Sequence, residues 1–244
     1  MLTYDNFVEL VNEAGFLTPY TNYIDPEIFK FPWAGKNAKG QAYTNDPETD
    51  PELWKTRAPR DKKMAYGYFF NGKPGGYIAP RFFSIFVDAF RPRLPMEERY
   101  RSDVYEYEIW KLLREYNRHR MSRVASDVGH SVSLSWSDIR KKMGLEPAVK
   151  YKAEVRKLDL ALKNLNMTYD TVISGTEGHL GCVLADAWVP PEWMQLNPRM
   201  KHEEALEIIY RQAEKISTSG EAKTAFRKSL RLYKNQSDIT QKQY

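Results

Sequence analysis

The order of elements predicted between residues 102 and 185 limits the folds open to this chain more than any other feature. Hydrophobic periodicity predicts three helices, at 102–118, 135–144 and 150–166. Two β-prone runs, at 168–174 and 180–185, then flank a turn that contains glycine. Three helices and a hairpin in this order indicate a winged helix, a helix-turn-helix variant that lays its last helix in a DNA groove. We therefore predict an α+β, mainly α fold organised around a winged helix.

The third predicted helix carries apolar and basic side chains on opposite sides. Leu158, Leu162 and Leu165 share one stripe, whereas Lys152 and Arg156 lie on another. A helix that is apolar behind and basic in front suits contact with the phosphates of duplex DNA. The alternative is an ordinary solvated helix face. The predicted DNA contacts, on the last two helices and on the wing near 175–179, are Arg140, Lys141, Lys142, Lys150, Lys152, Arg156, Lys157, Lys163, Thr176 and His179.

A second basic cluster lies between residues 55 and 73, where basic side chains alternate with aromatic ones. Aromatic rings among cations can stack on the bases of a flexible or flipped nucleotide. The alternative is that the aromatics belong to core strands and the charges are solvated strand ends. The candidate residues of this second patch are Arg60, Lys62, Lys63, Tyr66, Tyr68 and Lys73.

Charge is distributed unevenly along the 244 residues, whose net charge is +5. Residues 1–52 carry a net charge of −6, which leaves +11 on the remainder. A basic body with an acidic segment is compatible with nucleic-acid binding, and equally with charge pairing inside the chain.

Localisation is predicted from what the sequence lacks. No apolar run approaches the length that spans a bilayer, and the acidic start at 1–13 does not match a secretory signal. A single cysteine, Cys182, excludes an internal disulfide and fits a reducing compartment. We therefore predict a cytoplasmic protein with no membrane partner.

Three parts are predicted along the chain. The first, 1–95, contains a helix at 4–14, a long Pro-rich loop with a short helical turn at 51–56, a hairpin around Asn71-Gly72 and a helix at 81–90. The winged helix follows the two prolines of 91–95 and occupies 96–190. The third part, 191–244, holds helices at 201–216 and 221–233 and a frayed tail. Whether the first part is a second winged-helix-like unit or a wrapped extension stays open.

The sequence contains no motif typical of a metal site, a nucleophilic cysteine or a phosphate-binding loop. The four histidines have no metal-binding spacing, so we expect neither a metal nor a cofactor. Cys182, on a predicted strand, is typical of a small core residue rather than a nucleophile. The glycines of 72–76 match no phosphate loop and indicate a turn. Trp188 and Trp193 flank a double proline and are expected to anchor that segment on the core.

Five short stretches share a characteristic order along the chain. They are the opening from Phe7 to Phe16, the block MAYGYFFNGK at 64–73, the aromatic helix at 81–90, the run LDLALKNL at 158–165, and the Trp188–Trp193 segment. Together they resemble proteins described as related to the AlkZ DNA glycosylases. The resemblance spans residues 5–210. It implies a winged-helix DNA-binding protein, in a superfamily whose true glycosylases cradle duplex DNA with tandem winged helices.

Catalysis is not carried over by the resemblance. The glycosylases organise a water with a Gln-x-Gln or Gln-x-Asp motif near the N-terminus. Here Gln41 and Gln195 are isolated, and the only Gln-x-Gln lies at 241–243, in the predicted tail.

Three functional hypotheses follow. The first is a non-catalytic winged-helix protein that binds double-stranded DNA through 150–166 and the wing near 175–179. The second is a divergent DNA glycosylase that acts on alkylated or crosslinked bases. The third is a module that binds a protein partner or a second copy of itself.

Overall fold

The chain is described from a computed structural model, which covers residues 3–17, 46, 48–69, 73–99, 104–121, 133–176 and 179–216. The helices are α1 (Tyr4–Ala14), α2 (Pro51–Asp61), α3 (Pro80–Phe90), α4 (Met96–Arg99), α5 (Val104–Met121), α6 (Trp136–Lys142), α7 (Lys152–Met167), α8 (Ala185–Trp188), α9 (Pro191–Gln195) and α10 (His202–Ile216). The strands are β1 (Phe16–Leu17), β2 (Ala65–Phe69), β3 (Lys73–Ile78), β4 (Leu134–Ser135), β5 (Thr171–Thr176) and β6 (His179–Leu184). The α+β, mainly helical class predicted from the sequence is confirmed.

The six strands form one antiparallel sheet in the order β1-β3-β2-β5-β6-β4. The sheet has two halves, an N-terminal half with β1, β2 and β3 and a C-terminal half with β4, β5 and β6. In each half the first strand lies at the outer edge, the third strand next to it and the second strand at the centre, so the order is the same from either edge. The halves meet where Tyr66 of β2 pairs with Ile173 of β5. The sheet therefore continues across the boundary predicted at residue 95, and the division into three parts stays a prediction.

One row of directly opposed residues crosses the whole sheet. It runs through Leu17, Tyr77, Tyr66, Ile173, Cys182 and Leu134. Residues directly opposite one another in antiparallel strands point to the same face. At one end of the row, Tyr77 meets the ring of Phe7 on α1 edge-on at 4.9 Å. At the other end, Cys182 lies in one core with residues of α5, α6 and α7. Helix α1 and these three helices therefore cover the same face of the sheet.

The opposite face of the sheet is covered by α3. Phe16, whose side chain alternates with that of Leu17, meets Phe86 of α3 edge-on at 5.1 Å. Phe86 also contacts Tyr169, which lies two residues before the start of β5, at 5.6 Å. Helices α9 and α10 pack on α3 from outside. Since Tyr169 follows α7 in the chain, the α3 side joins the two halves of the sheet through aromatic contacts.

Helix α1 begins and ends at residue types that are typical of helix ends. Thr3 is the N-cap, and its hydroxyl accepts the Asn6 N–H at 3.4 Å. Gly15 ends the helix at φ +85°, and its N–H donates to the Val11 carbonyl. A Cβ on Gly15 would lie 2.4 Å from the ring of Phe82. Glycine is therefore required here both by the backbone angle and by the close approach of α3.

The short helical turn predicted at 51–56 extends to Asp61 as α2. The prediction stopped early because Pro59 disfavours a helix interior. Tertiary contacts outweigh that cost, since Trp54 and Ala58 are fully buried and Arg57 forms an i,i+4 ion pair with Asp61 at 3.3 Å. The helix predicted at 221–233 and the tail lie outside the described residues.

Candidate nucleic-acid interface

Helix α6 presents basic residues at its C-terminal end because its start and its inner face are fixed. Ser135 caps the helix, and its Oγ accepts the Asp138 N–H at 3.0 Å. Ile139 is fully buried. Gly144, at φ +70°, follows the last turn. The basic run of the last turn, which also suits the helix dipole, consists of Arg140, Lys141 and Lys142.

Helix α7 has the two faces that its sequence predicts. Leu158, Leu162 and Leu165 are fully buried against α5 and the sheet. Lys152, Arg156 and Lys157 are exposed. The helix is therefore held by its apolar stripe, and its basic residues are left at the surface.

Six of the predicted DNA-contacting cations are exposed, and none of the six forms an ion pair with another residue that the structure describes. The Nζ of Lys150 lies 5.3 Å from the ring centre of Tyr151. Glu146 and Glu154 are exposed in the same region, so the surface is basic but not uniformly so. The six are Lys141, Lys142, Lys150, Lys152, Arg156 and Lys157.

Arg140 and Lys163 differ from these six. The Nη2 of Arg140 donates to the Asp159 Oδ1 at 2.9 Å, and both side chains are about 70% covered, with relative exposures of 27% and 30%. This ion pair ties α6 to α7 and neutralises the guanidinium. Lys163 is half-buried and has a partner of its own. Both residues are therefore better placed to position α7 than to meet a phosphate.

For the predicted wing residues Thr176 and His179, the structure describes the backbone but not the side chain. Thr176 pairs with His179 where β5 turns into β6. Residues 177 and 178 at the tip lie outside the described residues, as do the side chains on either side. The hairpin itself, predicted at 168–174 and 180–185, forms between Thr171–Thr176 and His179–Leu184.

The second predicted patch is divided between surface and core. Tyr66 is 4% exposed and packs on Tyr77 at 5.0 Å, which is the core alternative given for these aromatics. Lys63 donates to Asp5 at 2.8 Å, and Arg60 lies 3.5 Å from Asp61. Lys62 is exposed. Tyr68 and Lys73 lie on β2 and β3, where only their backbones are described.

Arg57 lies in the basic cluster at 55–73, although not among its candidate residues, and is held inside the N-terminal half. Its guanidinium lies 4.0 Å from the ring centre of Tyr4 and donates to Glu48 at 2.7 Å. Burial raises the pKa of the Tyr4 hydroxyl. Arg57, Arg60 and Lys63 thus lie beside acids. The exposed Lys152, Arg156 and Lys157 of α7 form no ion pair with the residues that the structure describes.

Cys182 is fully buried and accepts a hydrogen bond from the indole Nε1 of Trp136 at 3.3 Å. Burial raises the pKa of its thiol to about 12. A thiol with that pKa has roughly 10³-fold less thiolate at pH 8 than an ordinary cysteine. The position is that of a core residue, as its sequence context predicts.

We expect Cys182 to resist an aromatic disulfide reagent at pH 8 in the native protein and to react stoichiometrically once guanidinium unfolds the chain. The raised pKa favours the protonated thiol in the folded state. Stability should therefore fall as pH rises from about 9 towards about 12, and this cysteine should contribute nothing to pH dependence below that range. Fast stoichiometric labelling of the native protein would contradict this placement.

A cleft of about 280 Å³ opens beside the linker that follows α3. It is lined by residues from five separate stretches of the chain, and no local motif predicts it. Elsewhere in the described ranges, no group of three or more histidine, cysteine, aspartate or glutamate side chains is arranged to hold a metal ion. Of the helices that the structure describes, none is long and apolar enough to cross a bilayer.

A family model described as AlkZ related matches residues 1–231. Neither the curated proteins nor the solved structures contain a match to this chain.

Proposed function

The chain belongs to the AlkZ-related family, and from this premise we propose that it binds duplex DNA through α7 and the β5–β6 hairpin. The family name relates the chain to glycosylase-like proteins of DNA repair. The single observation that carries the proposal is the exposed face of α7, with Lys152, Arg156 and Lys157 free of described ion pairs. Cations in this arrangement supply the salt-dependent part of DNA affinity.

We propose that residues 96–190 are the winged helix. The element order α5-β4-α6-α7-β5-β6 supports this assignment, as does the position of β6 between β5 and β4. In that arrangement α7 is the recognition helix and the turn after Thr176 is the wing. The Arg140–Asp159 ion pair then sets the angle between the two helices of the helix-turn-helix.

The N-terminal half repeats this strand order, and we propose that it is a second winged-helix-like unit. Its counterpart of α7 is α2, which precedes the central strand β2 as α7 precedes β5. Helix α2 contacts β5, and α7 contacts β2. Because Arg57, Arg60 and Lys63 already lie close to acids, this half would contribute less to DNA affinity than α7.

We propose that DNA binding occurs without base excision. Of the described glutamines, Gln212 donates its Nε2 to the Ala14 carbonyl at 2.6 Å and therefore has a structural role. Gln195 is exposed at the end of α9 and has no glutamine or aspartate two residues away. Neither forms part of a pair that would hold a water for attack on a sugar.

Titrating a labelled duplex by fluorescence anisotropy at 50 and 200 mM salt tests the proposal. With about six phosphate contacts, affinity should fall roughly 10³-fold between the two salt concentrations. The same protein, incubated with alkylated or crosslinked duplexes, should release no base. Base release would favour the glycosylase hypothesis, and absence of binding even at 50 mM salt would favour a protein partner.

A further inference from the structure

The cleft beside the linker is formed where the two halves of the chain meet. Its walls come from the end of α3, the linker 92–95 and α5. Asp170 before β5, Asp186 on α8 and Arg199 before α10 complete them. Sites at junctions between structural units are common positions for small ligands. None of the proposed DNA contacts on α6 or α7 lines this cleft.

The floor of the cleft is fixed by Arg91. Its Nη1 donates to the Asp186 Oδ1 at 3.0 Å, its Nη2 donates to the Tyr169 carbonyl, and its Nε lies 3.5 Å from the Asp170 carboxylate. Asp170 is 8% exposed, whereas the Asp186 side chain is 86% exposed. Asp186 therefore keeps acceptor capacity for a ligand, while Arg91 and Asp170 satisfy each other's charge.

A second set of contacts positions Arg199 at the rim. The Asp88 carboxylate accepts the Met200 N–H at 2.8 Å, and the Arg93 Nη2 donates to the Met200 carbonyl at 3.2 Å. The backbone next to Arg199 is thus held from both sides. Arg199 is exposed, and no ion pair joins it to any part of the chain that the structure describes. Arg93 is also exposed and uses only one of its donors in the described contact.

The remaining wall is apolar. The indole of Trp110 on α5 lines the cleft and is half-buried, and Leu94 is 41% exposed on the linker. An aromatic wall beside two guanidinium groups is an arrangement that stacks a base and holds a phosphate. The volume is close to the lower limit of about 300 Å³ for ligand sites, which suits one nucleotide rather than a longer segment.

We propose that this cleft binds a single nucleotide. Arg199 and Arg93 hold its phosphate, Trp110 packs on its base, and Asp186 accepts a hydrogen bond from the sugar or from an exocyclic amine. The nucleotide is either a free nucleoside monophosphate or one residue of a DNA strand, since both present the same base and phosphate. Binding here is independent of the duplex contacts of α7, so either proposal can fail without the other.

Calorimetric titration of the full chain tests the site with three probes: 2′-deoxyadenosine 5′-monophosphate, the corresponding nucleoside and a ten-residue single-stranded oligonucleotide. The indole Nε1–H resonance of Trp110, assigned through Trp110→Leu, reports occupancy. Arg199→Gln should weaken monophosphate binding about tenfold by removing a charge-assisted contact. Trp110→Leu should weaken it to a similar extent by removing stacking. Arg118→Gln, on the exposed face of the same helix as Trp110, is the matched control and should change nothing.

The probes distinguish the two sources of the nucleotide. Monophosphate binding that shifts the Trp110 resonance and is weakened about tenfold by Arg199→Gln supports a free nucleotide. If the oligonucleotide binds and the monophosphate does not, with the same shift of the Trp110 resonance and the same weakening by Arg199→Gln, the bound nucleotide is one residue of a DNA strand. If the nucleoside binds as well as the monophosphate, or if no probe shifts the Trp110 resonance, the proposal is overturned. Thermal unfolding of Trp110→Leu confirms that the variant is folded, and Arg199→Gln provides an exposed substitution that does not depend on that check.

Discussion

Reversing two charges on α7, with Lys152→Glu and Arg156→Glu together, should lower affinity for duplex DNA about 10²-fold at 50 mM salt. Both side chains are exposed one helical turn apart on the face opposite the buried leucines. Each reversal removes a phosphate contact and adds a repulsion. The slope of log affinity against log salt should become shallower by about two. Fluorescence anisotropy at several salt concentrations measures both effects.

The matched control makes the same change in formal charge at α10, with Lys201→Glu just before the helix and Arg211→Glu within it. Arg211 is exposed and pairs with Glu207 at 2.8 Å, outside the proposed interface. Its reversal should alter affinity only through the general field of the protein, by a few-fold at most at 200 mM salt. Equal losses in the two double variants would mean that α7 has no special role. An unchanged affinity in the α7 variant would remove the assignment of the recognition helix.

Truncating the aromatic contact between the halves, with Phe86→Ala, should lower the free energy of unfolding by about 3–5 kcal/mol. Phe86 is fully buried and meets Phe16, Phe90 and Tyr169. Its removal leaves a cavity bounded by residues from both halves. Urea unfolding followed by tryptophan fluorescence and by far-UV circular dichroism should therefore shift to lower midpoint with both probes together.

Two further variants separate packing from the substitution itself. Phe86→Leu keeps most of the apolar volume and should cost about 1–2 kcal/mol. Leu196→Ala removes a side chain that is 53% exposed and should stay within about 0.5 kcal/mol of the parent. A loss below 1 kcal/mol in Phe86→Ala would show that the α3 side does not join the halves. Separate transitions for the two probes would show that the halves unfold independently.

The sequence predicts what lies within one element and misses what depends on contacts between elements. The buried and exposed faces of α7 follow from a repeat of three and four residues, so the stripe and the basic face were both predictable. The ion pair between Arg140 and Asp159 joins residues 19 positions apart on two helices. No local pattern shows that this arginine is neutralised while its neighbours Lys141 and Lys142 are not.

The same limit explains the other differences. Tyr66 alternates with basic and aromatic residues in a way that fits either a stacking surface or a core strand, and only the β2–β5 pairing places it in the interior. Pro59 disfavours a helix, so the sequence does not predict the second half of α2. The burial of Trp54 and Ala58 outweighs this local preference. The cleft combines residues between 87 and 199 that have no common periodicity.

The central antiparallel β2–β5 pair has the strand arrangement of a contact between two like subunits, because the strand order is the same from either edge. If the two halves were separate chains, they would pair through β2 and β5 only at protein concentrations above the dissociation constant of that contact. One covalent chain holds them at an effective concentration that reaches the millimolar range for a short tether. Pairing within the chain also occupies the β2 and β5 edges that would otherwise recruit strands from other molecules. Because one chain carries both halves, this pairing does not depend on protein concentration, and the paired edges of β2 and β5 are not available to other molecules.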